Sequence, residues 1–387
     1  MKIAKIEAFP IKIRKDHVYL GNSSALDTPY DYYLRPSYRC PYSKNMETLL
    51  VKITTDDGIE GWGEALAPVV PEVAGIIIER MFTPFLLGRE ATDIDVIWNL
   101  LYDTMRDRGY FTGFMVDAVS AVDIALWDIA GKYYKQPIYK LLGGAYRTNV
   151  PAYISGLPVE SLEEKVNLAR EWKAKGFTAI KLHIGYGMQE DIRIMTALRE
   201  ALGLDFGLMI DAHWNYTVAD AVQLGRAMGA LHVRFLECPL DPEDIDGYAQ
   251  LSHSLDIPVA LGESDRTHFQ YREHLVRNSC DILQPDVGRT GITELMRITK
   301  LADTFHKKVA PHLSVGQGVC IAATLQCCAA MYNFYGLQEY QPSILPVANE
   351  FLNAPITCEN GIFAVPDGFG LGISLDEDRV RHHAVKL

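Results

Sequence analysis

The chain has 387 residues, more than one hydrophobic core usually holds, so two domains are expected. The composition, 48% hydrophobic and 22% charged with no biased tract, is that of an ordinary globular protein. A net charge of −12 argues against nucleic acid or an anionic membrane surface as a partner, because both favour basic proteins. An anionic small substrate is not excluded, since local positive charge or a bound metal can override the global sign.

The first 17 residues carry a charge every few positions and contain no continuous apolar run. They therefore predict neither a signal peptide nor a membrane span. The seven cysteines are odd in number, scattered along the chain and without a C-x-x-C pair. This pattern predicts reduced thiols in the cytoplasm and argues against a zinc site.

The N-terminal third predicts strands followed by helices. Residues 2–10 alternate as a strand does, and residues 47–55 and 61–65 form two more strands joined at the turn Asp57-Gly58. From residue 71 to 132 the apolar spacing is helical, most clearly over residues 115–132. This order of elements is typical of a small α+β domain.

After residue 149 short apolar runs alternate with amphipathic stretches. The strand candidates are VPAYIS, TAIKLHI, GLMIDAH, RFLEC, PVALGES, DILQPD, KVAPHL and YGLQEY. Eight strands with seven intervening helices indicate a parallel (β/α) barrel. A doubly wound open sheet is the alternative, but it would be unusually wide and no G-x-G-x-x-G follows a first strand.

We predict three segments along the chain: an α+β domain at 1–132, the barrel at 133–350, and a C-terminal segment at 351–387. The last segment contains PDGFGLGISLD and is typical of irregular chain with one short strand. It is too short for a domain, so we expect it to pack back on the N-terminal domain.

Polar residues end seven consecutive barrel strands, at intervals of 23 to 30 residues. They are Lys181 and His183, Asp211 and His213, Glu237, Glu263, Asp286, His312 and Glu339. A single acid at a strand end is most often a helix N-cap, and a lone histidine is most often structural. Seven in succession favour a function instead, on the C-terminal rim where barrel enzymes place their sites.

Three of these groups, Asp211, Glu237 and Glu263, form an all-oxygen set that would repel itself without a cation. Oxygen ligands without cysteine favour Mg²⁺, or Mn²⁺ in its place, over zinc. Such an ion could bind a substrate carboxylate and stabilise the enolate formed when the α-proton leaves.

Bases flank this set. His312 can pair with Asp286 on the neighbouring strand, which would orient the imidazole. Lys181 lies on the other side of the barrel, so the two bases could address opposite faces of the enolate. Glu339 could hydrogen-bond the substrate carboxylate as a protonated acid, provided that desolvation raises its pKa.

The chain resembles the mandelate racemase subgroup of the enolase superfamily. The matching barrel segments are KLH, IDAH, LECP, GES, QPDVGRTGI, APHLS and LQE, with WDIAGKYYKQPIYKLLGG and PDGFGLGI outside the strands. The resemblance implies a capping α+β domain over a (β/α)₇β barrel, one Mg²⁺ and reaction through the enolate of a hydroxy acid. It also implies a homo-oligomer, from dimer to octamer.

Two departures from the family pattern bear on the reaction. His183 takes the place of the second lysine of K-x-K, which weakens the case for Lys181 as a base and leaves His183 as a substrate contact or a structural residue. Asp211-Ala-His213 is similar to the D-x-H of galactonate- and mannonate-type dehydratases, where the histidine protonates the departing hydroxyl. The alternative for His213 is to orient a metal ligand. Cys238 replaces a common acid and is interpreted as structural.

Specificity is expected from a tyrosine- and arginine-rich loop near residues 20–44. Its candidates for contact with a polyhydroxylated acid are Tyr30, Tyr32, Tyr33, Arg35 and Arg39, of which Tyr30 and Arg39 are taken as substrate-binding. The alternative is that some tyrosines pack at a subunit interface.

The leading hypothesis is therefore a hydro-lyase that dehydrates an aldonate or aldarate to a 2-keto-3-deoxy acid. A racemase, epimerase or lactone cycloisomerase acting through the same enolate is the alternative. A binding protein on a decayed barrel is a third, but it would tolerate the loss of ligands that this chain retains.

Overall fold

The computed structural model describes residues 1–15, 29–34 and 38–387. The N-terminal part is built on an antiparallel sheet of β1 (Ile3–Arg14), β4 (Asn45–Thr55) and β5 (Glu60–Ala65), in the order β1-β4-β5. The three predicted strands are confirmed with slightly longer bounds. A separate hairpin of β2 (Tyr32–Leu34) and β3 (Pro41–Ser43), which the sequence did not predict, lies in the tyrosine-rich segment.

Helices follow this sheet, as the apolar spacing of residues 71–132 predicted, and one further short helix lies beyond that range. They are α1 (Glu72–Ile76), a π-helical turn (Ile77–Phe82), α2 (Thr83–Leu86), α3 (Ile94–Arg106), α4 (Phe114–Tyr134) and α5 (Ile138–Leu141). Helix α4 lies directly against β5. A Cβ at Gly63 would lie 1.8 Å from the carbonyl oxygen of Ala121, so only glycine permits this approach.

A closed parallel barrel follows. Its strands are β6 (Asn149–Ser155), β7 (Ala179–His183), β8 (Gly207–Asp211), β9 (Val233–Glu237), β10 (Val259–Leu261), β11 (Ile282–Leu283), β12 (Lys308–Val309) and β13 (Gln338–Tyr340). Its helices are α6 (Leu162–Ala174), α7 (Met188–Leu202), α8 (Val218–Ala230), α9 (Ile245–Ser254), α10 (His268–Arg277), α11 (Val287–Thr304) and α12 (Gly318–Ala330). Strand β13 pairs in parallel with β6, so the (β/α)₇β prediction is confirmed.

One layer of apolar side chains fills the barrel interior. It comprises Tyr153, Ala179, Met209, Phe235, Ala260, Ile282 and Ala310. Because side chains on a strand alternate between faces, the residue two positions later points into the barrel one layer higher. Lys181, Asp211 and Glu237 each stand in that relation to a member of the layer, which explains why charged groups gather above it.

The C-terminal segment contacts both parts of the chain. It follows α13 (Leu345–Ala348) and contains β14 (Cys358–Glu359), β15 (Ile362–Ala364) and α14 (Glu377–His383). Strand β15 pairs antiparallel with the first half of β6, whereas α14 contacts β1 through an ion pair of Arg381 with Glu7 at 2.9 Å. The C-terminal segment therefore contacts the first barrel strand as well as the N-terminal sheet.

All seven cysteines lie in the described residues, and none of them forms a disulfide. Among the helices in the described ranges, none is both long enough and apolar enough to cross a membrane.

Candidate active site

A cavity of 340 Å³ lies between the N-terminal part and the C-terminal ends of the barrel strands. Six residues predicted from the strand ends line it directly: Lys181, His183, Asp211, His213, Glu263 and His312. Three more, Glu237, Asp286 and Glu339, are buried behind the cavity wall. Each of them contacts one of the six lining residues, Lys181 or His312. The structure therefore brings every predicted strand-end residue into one site.

The three candidate metal ligands converge. One oxygen each of Asp211, Glu237 and Glu263 lies within 4.8 Å of the others. Parallel register places Asp211 opposite Glu237, and Gly262 turns Glu263 onto the same rim with a φ of 119° that favours glycine. Hard oxygen ligands at this separation fit Mg²⁺. His183, Asp211 and His213 form a second group of potential ligands, which shares Asp211 with the first.

The protonation of this set reflects crowded like charges. Burial raises the pKa of Glu237 to about 8, and Asp211 and Glu263 add to the rise against the opposing effect of Lys181. Glu237 also accepts hydrogen bonds from Lys181 Nζ and Gln284 Nε2, both at 2.7 Å. Glu237 is thus held in place by two hydrogen bonds, and burial beside other carboxylates makes its ionisation costly. A bound cation would offset that cost, so both properties favour a metal site.

His312 and Asp286 form the predicted pair. Nδ1 of His312 lies 2.6 Å from Oδ2 of Asp286, while the other oxygen of Asp286 accepts from the backbone N–H of Gly288 at the start of α11. The remaining nitrogen, Nε2, lies 3.4 Å from Oε2 of Glu263 in the cavity. Burial lowers the pKa of His312, but Glu263 and Asp286 outweigh it and raise the value to about 10.

Lys181 is held as a cation. Its Nζ lies 2.7 Å from Glu237 and 3.2 Å from Glu339, and these carboxylates raise its pKa well above the ordinary value although burial alone would lower it. Glu339 does not have the raised pKa that our hypothesis required. Burial raises it, but Lys181 and His312, with hydrogen bonds from Ser155 and the Leu313 N–H, lower it to about 2. The low pKa of Glu339 contradicts the hypothesis that it acts as a protonated acid toward the substrate carboxylate.

Two histidines flank Asp211. Nδ1 of His183 lies 3.2 Å from one oxygen of Asp211 and its Nε2 lies 3.4 Å from Ser155 Oγ, so both ring nitrogens contact protein groups. Nδ1 of His213 lies 3.2 Å from the other oxygen of Asp211. His213 adopts a φ of 48°, unusual for a side chain of its size, and the ring of Tyr38 stacks on it at 4.2 Å.

The loop residues that were predicted to bind the substrate make other contacts in the structure. Tyr30 is 74% exposed, and the Arg39 guanidinium binds the Trp214 carbonyl and, at 2.5 Å, Asp241. Neither side chain lines the cavity, so the substrate contacts predicted for these two residues are not found in this structure. Loop residues carry no strand periodicity, which is why the sequence could not orient them.

The loop set has three other members. Tyr32 donates to Glu47 at 3.0 Å, Tyr33 is buried against Tyr42, and Arg35 lies outside the described residues.

Two uncharged residues of the site were missed by sequence reasoning. Ser155 donates to Glu339 at 2.5 Å and Gln284 donates to Glu237. Each stands two positions after a member of the interior layer, Tyr153 and Ile282. The same period-two rule that selects the charged residues would have found both, had it not been restricted to ionisable side chains.

Comparison with known proteins gives the family. The model described as enolase C-terminal domain-like matches residues 164–379, more than half of the chain, and that of the mandelate racemase / muconate lactonizing enzyme N-terminal domain matches residues 41–143. The chain belongs to the enolase superfamily. The resemblance inferred from the barrel motifs is confirmed. Enolase superfamily members bind Mg²⁺, in keeping with the three converging carboxylates.

Individual relatives of this superfamily member differ in the reaction that their names give. The chain is 37% identical to D-galactarolactone cycloisomerase of Agrobacterium fabrum, over 91% of this chain and 94% of the relative. It is 34% identical to arabinonate dehydratase of Saccharolobus solfataricus, over 85% and 88%. A solved enolase superfamily structure from Agrobacterium tumefaciens matches with a TM-score of 0.94 at 35% identity, covering 100% of this chain and 99% of that one.

Proposed function

We propose that this protein dehydrates a sugar acid, an aldonate or an aldarate, to a 2-keto-3-deoxy acid. The observation that supports the proposal is the placement of two histidines around one set of carboxylates. His312, held by Asp286 at 2.6 Å, and His213, beside Asp211, both line the cavity, as do the candidate ligands Asp211 and Glu263. One histidine is thereby available to take a proton and another to give one.

Proton removal is assigned to His312. Its Nδ1 is engaged by Asp286, so Nε2 is the atom presented to the cavity, whereas the Lys181 ammonium is held in two ion pairs and is 1% exposed. The charge of Glu263 is the largest cause that raises the pKa of His312, and a divalent ion held by Glu263 would offset that charge, so that the imidazole can act as the base. A divalent ion between Asp211, Glu237 and Glu263 would, when bound, stabilise the charge that develops on the substrate carboxylate as its α-proton leaves. Lys181 then serves as a fixed positive charge beside that carboxylate.

Loss of the β-hydroxyl is assigned to His213. His312 takes the α-proton, the C–H electron pair forms a carbon–carbon double bond, and the β C–O bond breaks. The departing oxygen receives a proton from His213 and leaves as water, and the enol becomes the keto acid. Hydroxide is a poor leaving group, so an acid next to the reacting carbon is what this step needs.

Opening of a sugar-acid lactone is a second candidate, favoured by the 37% identity to a galactarolactone cycloisomerase. In some lactones the ring oxygen is bonded to the carbon next to the acidic carbon. Removal of the same proton then breaks that C–O bond, and the ring oxygen leaves as part of a carboxylate. A carboxylate leaves without help from an acid, so His213 would be dispensable. Racemisation or epimerisation, in which no oxygen leaves, is distinguished by deuterium entering the α-carbon.

The decisive experiment is a panel of aldonates, aldarates and their lactones, incubated with Mg²⁺ in D₂O and followed by NMR. Wild type, His312→Asn and His213→Asn are compared, with His253→Asn as a matched control because His253 is exposed on α9, outside the cavity. We expect a keto acid from wild type, none from His312→Asn, and α-exchange without water loss from His213→Asn.

Each alternative has its own outcome. Lactone opening that survives in His213→Asn supports the cycloisomerase, and exchange without loss of oxygen in wild type supports a racemase or epimerase. The proposal is wrong if no acid yields a keto product, or if both histidine variants turn over at the wild-type rate.

A further inference from the structure

Arg289 is a cation that lines the active-site cavity and has no acidic partner among the residues that the structure describes. It lies in the first turn of α11, three residues after Asp286. In the described parts of the chain, no carboxylate oxygen comes within 4.0 Å of its guanidinium, and its buried Nε has no hydrogen-bond partner. The neighbouring Arg266 differs, because it binds Asp117 through two nitrogens at 2.8 and 3.2 Å. Asp117 is therefore the partner of Arg266 and does not form an ion pair with Arg289.

Lys15 is a second such cation and comes from the N-terminal sheet. It follows the last residue of β1, lines the same cavity and has no carboxylate within 4.0 Å among residues 1–15, 29–34 and 38–387. The acid that faces it, Glu47, already accepts hydrogen bonds from Ser43, from Tyr32 and from the Val70 N–H. Burial lowers the pKa of Lys15 to about 8, which shows how poorly its charge is compensated.

Unpaired charges of this kind are costly. Moving a cation out of water without a partner loses hydration that the protein does not replace. The other charged groups of the site have partners: Lys181 contacts Glu237 and Glu339, and His312 contacts Asp286. Arg289 and Lys15 are therefore available to bind a second anionic group, in a cavity that already provides a place for one substrate carboxylate at the three candidate metal ligands.

We propose that the substrate is a dicarboxylate, an aldarate or its monolactone, whose second carboxylate binds Arg289, with Lys15 as the further cation. This inference rests on the proposed function for the position of the reacting carboxylate. Arginine matches a carboxylate through two parallel N–H groups, so the side chain would discriminate a terminal carboxylate from a terminal hydroxymethyl group. The names of the relatives do not decide between a dicarboxylate and a monocarboxylate substrate, since they include a galactarolactone and the monoacid arabinonate.

The test measures binding and does not depend on turnover. Each hexarate is compared with the hexonate of the same configuration by titration calorimetry, with Mg²⁺, on the His312→Asn protein. The two ligands differ only at the terminal carbon. We expect the preferred hexarate to bind at least about 10-fold more tightly, the difference expected for a hydrogen bond to a charged group. Adding Arg289→Gln should remove that preference and leave hexonate binding nearly unchanged.

Further variants distinguish a loss of carboxylate binding from a failure of the protein to fold. Arg289→Lys keeps the charge without the paired N–H groups and should retain part of the preference, and Lys15→Gln should reduce it by a smaller factor. Arg226→Gln is the matched control, because Arg226 is exposed on α8 and does not line this cavity. Thermal unfolding of each variant identifies those that fail to fold.

The outcomes separate this inference from the proposed function. Equal binding of hexarates and hexonates, with or without Arg289, overturns the dicarboxylate inference even if wild type dehydrates a hexonate. If wild type turns over no acid but binds a hexarate in an Arg289-dependent way, the proposed dehydration fails and the second carboxylate site stands.

Discussion

The two walls of the cavity hold their side chains differently. The barrel rim, formed by the strand-end residues from Ser155 to Glu339, consists of buried and half-buried groups that contact one another. The capping wall, within residues 40–47 and 66–69, mixes the buried Glu47 with exposed groups such as Cys40, and next to Cys40 in the chain is Arg39, whose side chain is 64% exposed. The difference teaches that the groups for chemistry are held rigidly by the barrel, whereas contacts above them depend on a segment that can vary without disturbing the strands.

Removing one ligand from the barrel rim should have the largest effect. Glu237→Gln keeps the shape of the side chain and its contact with Lys181 but removes a charge from the three-carboxylate set. Lewis-acid stabilisation is worth several kcal/mol, so we expect turnover to fall by about 10³-fold or more. Mg²⁺ affinity measured by calorimetry should fall with it. Glu243→Gln, at an exposed position, is the control. Unchanged Mg²⁺ binding in Glu237→Gln would remove the metal site from this rim.

Asp286→Asn tests how the rim positions its base. One oxygen of Asp286 caps α11 through Gly288 and the other engages His312, so asparagine can retain the cap but presents an N–H to the imidazole. We expect kcat to fall by about 10²-fold, within the range for a disabled general base, while KM and thermal stability change little. A variant as active as wild type would show that Asp286 serves only as the helix cap.

Glu64 joins the N-terminal sheet to the barrel and should make stability depend on pH. It is buried on β5 and accepts the N–H groups of Gln317 and Cys320 at the start of α12. Burial raises its pKa from 4.5 to about 7 despite these bonds. The folded chain therefore binds this proton more tightly than the unfolded chain, and the contribution of Glu64 to stability falls as pH rises from about 4.5 to 7.

The measurement is the free energy of unfolding in urea at pH 5, 6, 7 and 8. The value for wild type minus that for Glu64→Gln should decrease across this range, by at most about 1.4 kcal/mol per pH unit. Glu243→Gln should show a flat difference. An opposite slope would mean that the hydrogen bonds from α12 outweigh burial.

The capping wall should give the smallest effect. Arg39→Gln breaks the exposed contact with Asp241, and exposed ion pairs contribute about 0 to 1 kcal/mol. We expect unfolding free energy to change within that range and kcat/KM to change only a few-fold. Asp241→Asn and the double variant should match the single variant. A loss as large as that of Asp286→Asn would show that this segment positions the catalytic groups and would end the distinction between the two walls.

The sequence by itself determined the barrel and most of its rim. Strand periodicity is local, so a charged residue two positions beyond an inward apolar one must face inward too, and regular spacing puts successive strand ends on one face. This is why Asp211, Glu237 and His312 were found without coordinates. The family motifs and the predicted strands agree because both express the same repeating unit.

Only the tertiary structure decided how these groups affect one another. The pKa of Glu339 is low because Lys181, far away in sequence, lies 3.2 Å from it. Arg39 contacts Asp241, 202 positions later in the chain, and within the described ranges Arg289 has no acidic partner because Arg266 binds Asp117. Charge interactions depend on distance in space between separate elements, and no periodicity within a single element records that distance.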